Sequence, residues 1–137
     1  MEASPNSKPN TTGKNILLVD DHEQNLELLE AYLEGVGAEL RLAKDGMEAL
    51  RKVEERRPDL ILLDVMMPRL SGYQVCRKLK GEAGTRGIPI IMVTALNEVS
   101  DVEKAHESGA DGFLSKPINK QELVERVEAE LGRGQRA

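Results

Sequence analysis

The sequence predicts a doubly wound α/β sandwich, five parallel strands flanked by five helices. Two observations carry this. Between Asn15 and Leu131, short apolar runs alternate with segments whose apolar residues recur at helical spacing, and βα units in series wind into a parallel sheet with helices on both faces. Most of the runs are also continuous, without polar residues in alternation, as burial on both faces of a sheet requires.

The elements follow in order. Ile16–Val19 is the first run. Leu26, Leu29, Leu33 and Val36 then recur at helical spacing, and Gly35 and Gly37 stop that helix. Glu39–Ala43 alternates weakly, which suits an edge strand. Met47, Leu50 and Val53 mark a second helix that ends before Pro58, and Leu60–Leu63 is the third strand. Val75 and Leu79 mark a helix opened near Ser71 and closed near Gly81 or Gly84. Ile88–Val93 is the fourth strand. The helix after it, from about Ser100 to Ser108, is thinly apolar, with Val102 and Ala105 as its main anchors. Phe113–Leu114 is the short fifth strand. Leu123, Val124, Val127 and Leu131 mark the last helix, with Asn119 as its N-cap.

These elements make one domain, residues 15–131, and a chain of 137 residues has room for one. Met1–Lys14 holds Ser, Pro, Asn and Thr without apolar periodicity, so residues 1–14 are expected to be a disordered tail, and 132–137 form a C-terminal tail.

Composition excludes several functions. Lys and Arg number 19 against 24 Asp and Glu, a net charge of −5, which disfavours direct nucleic-acid binding through phosphates. Tyr32, Tyr73 and Phe113 are too few aromatics for a base-stacking platform. Cys76 is the single cysteine, so neither an intrachain disulfide nor a cysteine-rich zinc site can form. No apolar run approaches a membrane span, and Met1–Lys14 lacks the apolar stretch of a signal peptide. A soluble, cytoplasmic chain without a membrane partner is expected.

In a doubly wound sheet, ligands sit at the carboxyl ends of the strands, where the winding direction switches. The first strand ends in Asp20–Asp21, the third in Asp64, the fourth in Thr94, and the fifth in Ser115–Lys116–Pro117. If the strand order is 2-1-3-4-5, the first and third strands are neighbours and three carboxylates share one crevice. Such a cluster repels itself unless a cation joins it, and an all-oxygen acidic set suits Mg²⁺. A carboxylate beside a metal, with a lysine and a hydroxyl across the gap, can take a phosphoryl group as nucleophile. Each residue alone has a plainer reading: a strand-end Asp as a turn or cap, Lys116 as a solvated side chain. Their joint placement at successive strand ends favours function.

Asp20–Asp21, Asp64, Thr94 and Lys116–Pro117, with Pro68 and Gly72 after Asp64, resemble the receiver domain of two-component response regulators over about Asn15 to Leu131. The resemblance implies a flavodoxin-like sheet of order 2-1-3-4-5. It implies that Asp64 accepts a phosphoryl group from a histidine kinase or phosphotransfer protein. Asp21 is then the direct Mg²⁺ ligand and Asp20 the acid acting through a metal-bound water, with Asp64 and the backbone carbonyl of Met66 completing the protein ligands. Lys116 pairs with Asp64 and then with phosphoryl oxygens. Thr94, supported by Ala95, moves toward the phosphoryl group, and Phe113 follows it. The bond from Lys116 to Pro117 is cis in the family. The output surface would be the fourth helix, fifth strand and fifth helix, used by a downstream protein, an output domain or a second copy as a homodimer. In the dimer-forming, DNA-binding branch the stretch before the fifth strand usually reads Ala-Asp-Asp. Here it is Ala110-Asp111-Gly112, which departs from that branch's interface.

The resemblance implies a switch and not an enzyme, beyond its own phosphoryl transfer and dephosphorylation. A Mg²⁺-dependent phosphatase with an aspartyl nucleophile would carry a second acid where Met66 stands. Whether the chain is a single-domain regulator or a receiver cut from a transcription factor or cyclic-dinucleotide synthase stays open. Gly35-Val36-Gly37 follows a helix and is no dinucleotide loop. His22 reads as a helix-start residue, since Mg²⁺ prefers oxygen. His106 reads as solvated and Cys76 as packing.

Overall fold

All five residues of β1 (Asn15–Val19), all four of β3 (Leu60–Leu63) and all five of β4 (Ile90–Thr94) are buried, and this double-sided burial sets the layers. In the computed structural model, which describes residues 13–95 and 99–134, successive strand side chains part to opposite faces. Leu17, Val19, Ile61, Leu63, Ile90 and Met92 join one core cluster, whereas Ile16, Leu18, Leu60, Leu62, Ile91 and Val93 join the other.

The first cluster is closed by α2 (Gly46–Glu55), α3 (Gly72–Lys80) and Ala105 of α4 (Val99–Glu107). The second is closed by α1 (Glu23–Leu33) and α5 (Lys120–Gly134). With β2 (Glu39–Ala43) and β5 (Gly112–Ser115) at the edges, all pairings are parallel and the strand order is β2-β1-β3-β4-β5. The expected doubly wound, flavodoxin-like sheet of order 2-1-3-4-5 is the one observed. β2, partly exposed, is the edge strand that its alternating pattern predicts.

Local chemistry opens the helices. Asp45 caps α2 by accepting from Glu48 N at 2.7 Å, Asn119 accepts from Glu122 N at 2.8 Å at the start of α5, and Ser71 with Gln74 forms a capping box on α3. Among the described residues no helix is long and apolar enough to cross a membrane.

Several boundaries differ from the sequence reading, those of β1 and α4 by one residue. Val36 belongs to a 3₁₀ turn, Glu34–Val36, after α1, and Gly37 at φ 92° makes the stop while Gly35 lies inside the turn. β4 starts at Ile90 and not at Ile88, because Pro89 has no N–H for the ladder, although its carbonyl already accepts from Ile61 N at 3.0 Å. β5 has four residues instead of two. The last helix runs to Gly134, three residues past Leu131, into the stretch read as tail. Lys14 also joins the ladder, its carbonyl accepting from Glu39 N at 2.9 Å. Residues 1–12, 96–98 and 135–137, the rest of both expected tails and part of the loop after Thr94, lie outside the described residues.

Candidate functional site

Backbone hydrogen bonds carry the sheet one residue past three of its strands and so fix where the polar residues stand. Asp20 N donates to Ala43 O at 3.1 Å, Asp64 N to Val19 O at 2.9 Å, and Lys116 N to Thr94 O at 2.8 Å. Because Val19 pairs with Leu63, Asp20 and Asp64 emerge side by side at the carboxyl edge. Gly72 lets α3 begin directly beneath them: a Cβ there would collide with the Asp64 carbonyl oxygen and stand 2.9 Å from Val65 Cα.

The Lys116 ammonium lies between the two carboxylates, 3.0 Å from Asp20 Oδ2 and 3.5 Å from Asp64 Oδ1. Asp20 and Asp64 are nearly sealed from solvent, at 1% and 4% exposure. Asp20 Oδ1 also accepts from His22 N at 2.9 Å and Asn25 Nδ2 at 3.3 Å. Asp64 has fewer compensations. Burial, and then the charge of Asp20, outweigh Lys116 and push its carboxyl up to about 6. Asp21 Oδ1 is buried and accepts no hydrogen bond, although His22 Nδ1 approaches it to 3.1 Å. Two carboxylates thus share one ammonium, and the neighbouring Asp21 has a buried oxygen that accepts no hydrogen bond. That is the donor set a hard divalent cation satisfies.

Thr94 ends β4 fully buried, and Ala95 follows it exposed. Phe113, in β5, is half-buried and packs on the first core cluster. Beside it a cavity of about 140 Å³ opens between α4 and β5, lined by Val102, Ala105, His106 and Ala110. The Met66 side chain is 59% exposed, so any role of this residue in the crevice falls to its backbone. The Lys116–Pro117 peptide is cis, as the resemblance implies. The structure therefore gathers Asp20, Asp21, Asp64 and Lys116 in one contact network at the sheet edge, with Thr94 ending the neighbouring strand.

The remaining candidates keep their plainer readings in part. His106 is exposed on α4. Cys76 is buried, its thiol donating to Ser108 O at 3.3 Å, and burial raises its pKa. His22 does start α1, but its side chain makes no capping bond. Sequence reasoning missed Asn25, whose tie to Asp20 spans five residues from the strand end into the first turn of α1. The signal available was an amide one helical turn from an acidic pair.

Known proteins resemble this chain in sequence and fold. The response regulator receiver domain family matches residues 16–128. The DNA-binding response regulator MtrA of Mycolicibacterium smegmatis is 43% identical over 125 residues, covering 91% of this chain and 54% of MtrA. The response regulator PleD of Caulobacter vibrioides is 49% identical over 112 residues, covering 82% of this chain and 25% of PleD. The chain thus spans about half the length of MtrA, or less of PleD. Among solved structures, the signal receiver domain of a signal transduction histidine kinase from Syntrophus aciditrophicus superposes with a TM-score of 0.85 at 38% identity, covering 91% of this chain and 95% of that one. A response regulator from Chloroflexus aurantiacus gives 0.83 at 38% identity, covering 88% and 98%.

Proposed function

The chain belongs to the response regulator receiver family of two-component signalling, and from that premise we propose that it is a switch worked by phosphorylation of Asp64. The observation that carries the reading is the Lys116 ammonium held 3.0 Å and 3.5 Å from the buried carboxylates of Asp20 and Asp64, with Asp21, whose Oδ1 accepts no hydrogen bond, following Asp20.

Asp20, Asp21, Asp64 and the Met66 carbonyl would hold Mg²⁺, with Asp21 the direct ligand and Asp20 acting through water. When bound, the ion neutralises the excess carboxylate charge and that of an incoming phosphate. An Asp64 carboxylate oxygen attacks the phosphorus of a phosphohistidine on a histidine kinase or phosphotransfer protein. The P–N bond breaks as the O–P bond forms, and the imidazole leaves with the electron pair and takes up a proton. Lys116 shifts from the carboxylate to the phosphoryl oxygens, holding their charge in a dry site. Thr94 closes toward the same oxygens, supported by Ala95, and Phe113 enters the space beside β5. The surface of α4, β5 and α5 then changes affinity for a downstream protein, an attached output domain or a second copy. The chain works in the cytoplasm, without direct contact to nucleic acid or membrane, and catalyses only its own phosphorylation and dephosphorylation.

Incubation with acetyl phosphate and Mg²⁺ should add one phosphoryl group by intact mass, and Asp64→Asn should abolish the addition. Labelling retained in that variant would falsify the assignment.

A further inference from the structure

One donor at the site has no part in this reading, the imidazole of His22. His22 occupies the N-cap of α1, where a polar side chain ordinarily turns back to the first N–H groups of the helix, yet it makes no such bond. The ring turns to the acids instead. Its Nδ1 lies 3.1 Å from Asp21 Oδ1 and 3.5 Å from Asp20 Oδ1, and one ligating atom from each of the three residues falls within 4.8 Å of the others. The shorter approach does not have the geometry of a hydrogen bond. Neighbouring ligands of an octahedral ion with bonds near 2.1 Å stand about 3.0 Å apart, close to the spacing of this nitrogen and oxygen. The acids themselves are held in place, because His22 N and Asn25 Nδ2 both donate to Asp20 Oδ1. The imidazole is 65% exposed, so it is open to an arriving hydrated ion.

We propose that His22 is a nitrogen ligand that fits this site for borderline first-row divalent cations, the Co²⁺ and Zn²⁺ class, as well as for Mg²⁺. Imidazole adds affinity for those ions and none for Mg²⁺, which keeps oxygen ligands and water. The inference rests on the reading of Asp20 and Asp21 as the cation-holding acids and extends it to a mixed nitrogen–oxygen donor set. The rival role for the ring is that of an imidazolium that only balances the acids. That role makes the opposite prediction, since removing a positive charge would tighten every divalent cation alike.

The test is a calorimetric titration of the full chain with Co²⁺ and, separately, with Mg²⁺, in wild type, His22→Ala and His106→Ala. His22→Ala should weaken Co²⁺ about tenfold while changing Mg²⁺ affinity by less than about twofold, and His106→Ala should change neither. The wild-type Co²⁺ form should show a strongly shifted, exchangeable imidazole N–H resonance by proton NMR, lost in His22→Ala. Equal tightening of both ions in His22→Ala, or an unchanged Co²⁺ affinity, overturns the proposal. Asp21→Asn separates the two levels: if it weakens neither ion, the reading of the acids fails as well, whereas a loss of both with no His22 effect removes only the histidine.

Discussion

At the amino ends of the strands, Lys14, Arg57, Asp59, Asp111 and Glu130 help to line a cavity of about 380 Å³. At the carboxyl ends, Asp20 and Lys116 line one of about 280 Å³. Charge would single out the first, but the partners of each charge point to the second. At the amino end Asp59 Oδ2 accepts from Asn15 N at 2.7 Å. Asp111 Oδ2 holds the Lys80 ammonium at 2.8 Å and accepts from Ile90 N at 2.8 Å, and Arg57 donates to the Gly84 carbonyl. Those charges are consumed in fastening loops to strands. At the carboxyl end one ammonium serves two carboxylates, and a third has a buried oxygen without a donor. An imbalance that the fold leaves uncorrected marks the end where a ligand completes the electrostatics.

The largest effect should separate the ends outright. Asp64→Asn should remove all labelling by a phosphodonor, whereas Asp111→Ala should label at a rate within about twofold of wild type, since no contact of Asp111 reaches the crevice. Equal losses in both variants, followed by mass spectrometry over time, would break the division.

Next comes the pH dependence of stability. Folded Asp64 titrates near 6 against an ordinary 3.8, so the folded chain holds this proton more tightly than the unfolded one. The stability it contributes is fully present below pH 3.8 and is lost as pH rises through 6, to a total of about 3 kcal/mol. Without divalent cations, Asp64→Asn should therefore exceed wild type in urea stability at pH 7.5 by up to that amount, and the gap should close toward pH 4. Added Mg²⁺ should narrow it by stabilising wild type alone. A variant no more stable than wild type at pH 7.5 would mean that the crevice is not electrostatically strained.

The amino end should answer oppositely. Asp111→Ala leaves the N–H of fully buried Ile90 without its acceptor and takes the counter-charge from Lys80, which keeps the Arg86 and Ile88 carbonyls, at a cost of about 2 kcal/mol, measurable by urea unfolding and insensitive to Mg²⁺. A Mg²⁺-dependent loss would tie this end to the ion after all.

This contrast also explains what could be read from the sequence. Ile16–Val19 and Leu60–Leu63 are legible because burial on two faces admits only apolar residues, and the polar residue that ends each run must then stand at the carboxyl edge. Asp20, Asp64 and Thr94 follow from that alone, whereas Lys116 stands one residue beyond Ser115 at the end of a partly exposed strand. Which carboxylate Lys116 approaches more closely does not, nor does the unpaired oxygen of Asp21. Those depend on rotamers set by three elements at once. The pairing of Lys80 with Asp111 was equally hidden, because it joins α3 to the residue before β5 across 31 positions. The apolar spacing that marks the last helix ends at Leu131, so its continuation to Gly134 is not legible from that pattern.

The smallest expected effect tests whether the reserve of charge reaches the output face. α4 is lightly held: Val102 is 46% exposed and Ala105 is its buried apolar anchor among the described residues. Among the described residues it is tied to α3 by a bond from Tyr73 Oη to Asp101 O at 3.2 Å and, just past its end, by one from Cys76 Sγ to Ser108 O at 3.3 Å. A helix with its apolar Val102 so exposed is expected to open at low free energy, and a cavity of about 140 Å³ lies beside Phe113. Movement of Thr94 toward a phosphoryl oxygen would shift that balance by about 1 kcal/mol, roughly a fivefold change in amide exchange. Beryllofluoride with Mg²⁺, as a phosphoryl mimic, should change exchange across Thr94–Ser108 and Gly112–Lys116 by that factor. It should leave Asn15 and Asp59 at the amino end unchanged, and Thr94→Ala should shrink the response. Protection that changes only at Asp64 and its acidic neighbours would confine the switch to the crevice. Protection that changes equally at both ends would show that the fold responds as one rigid body.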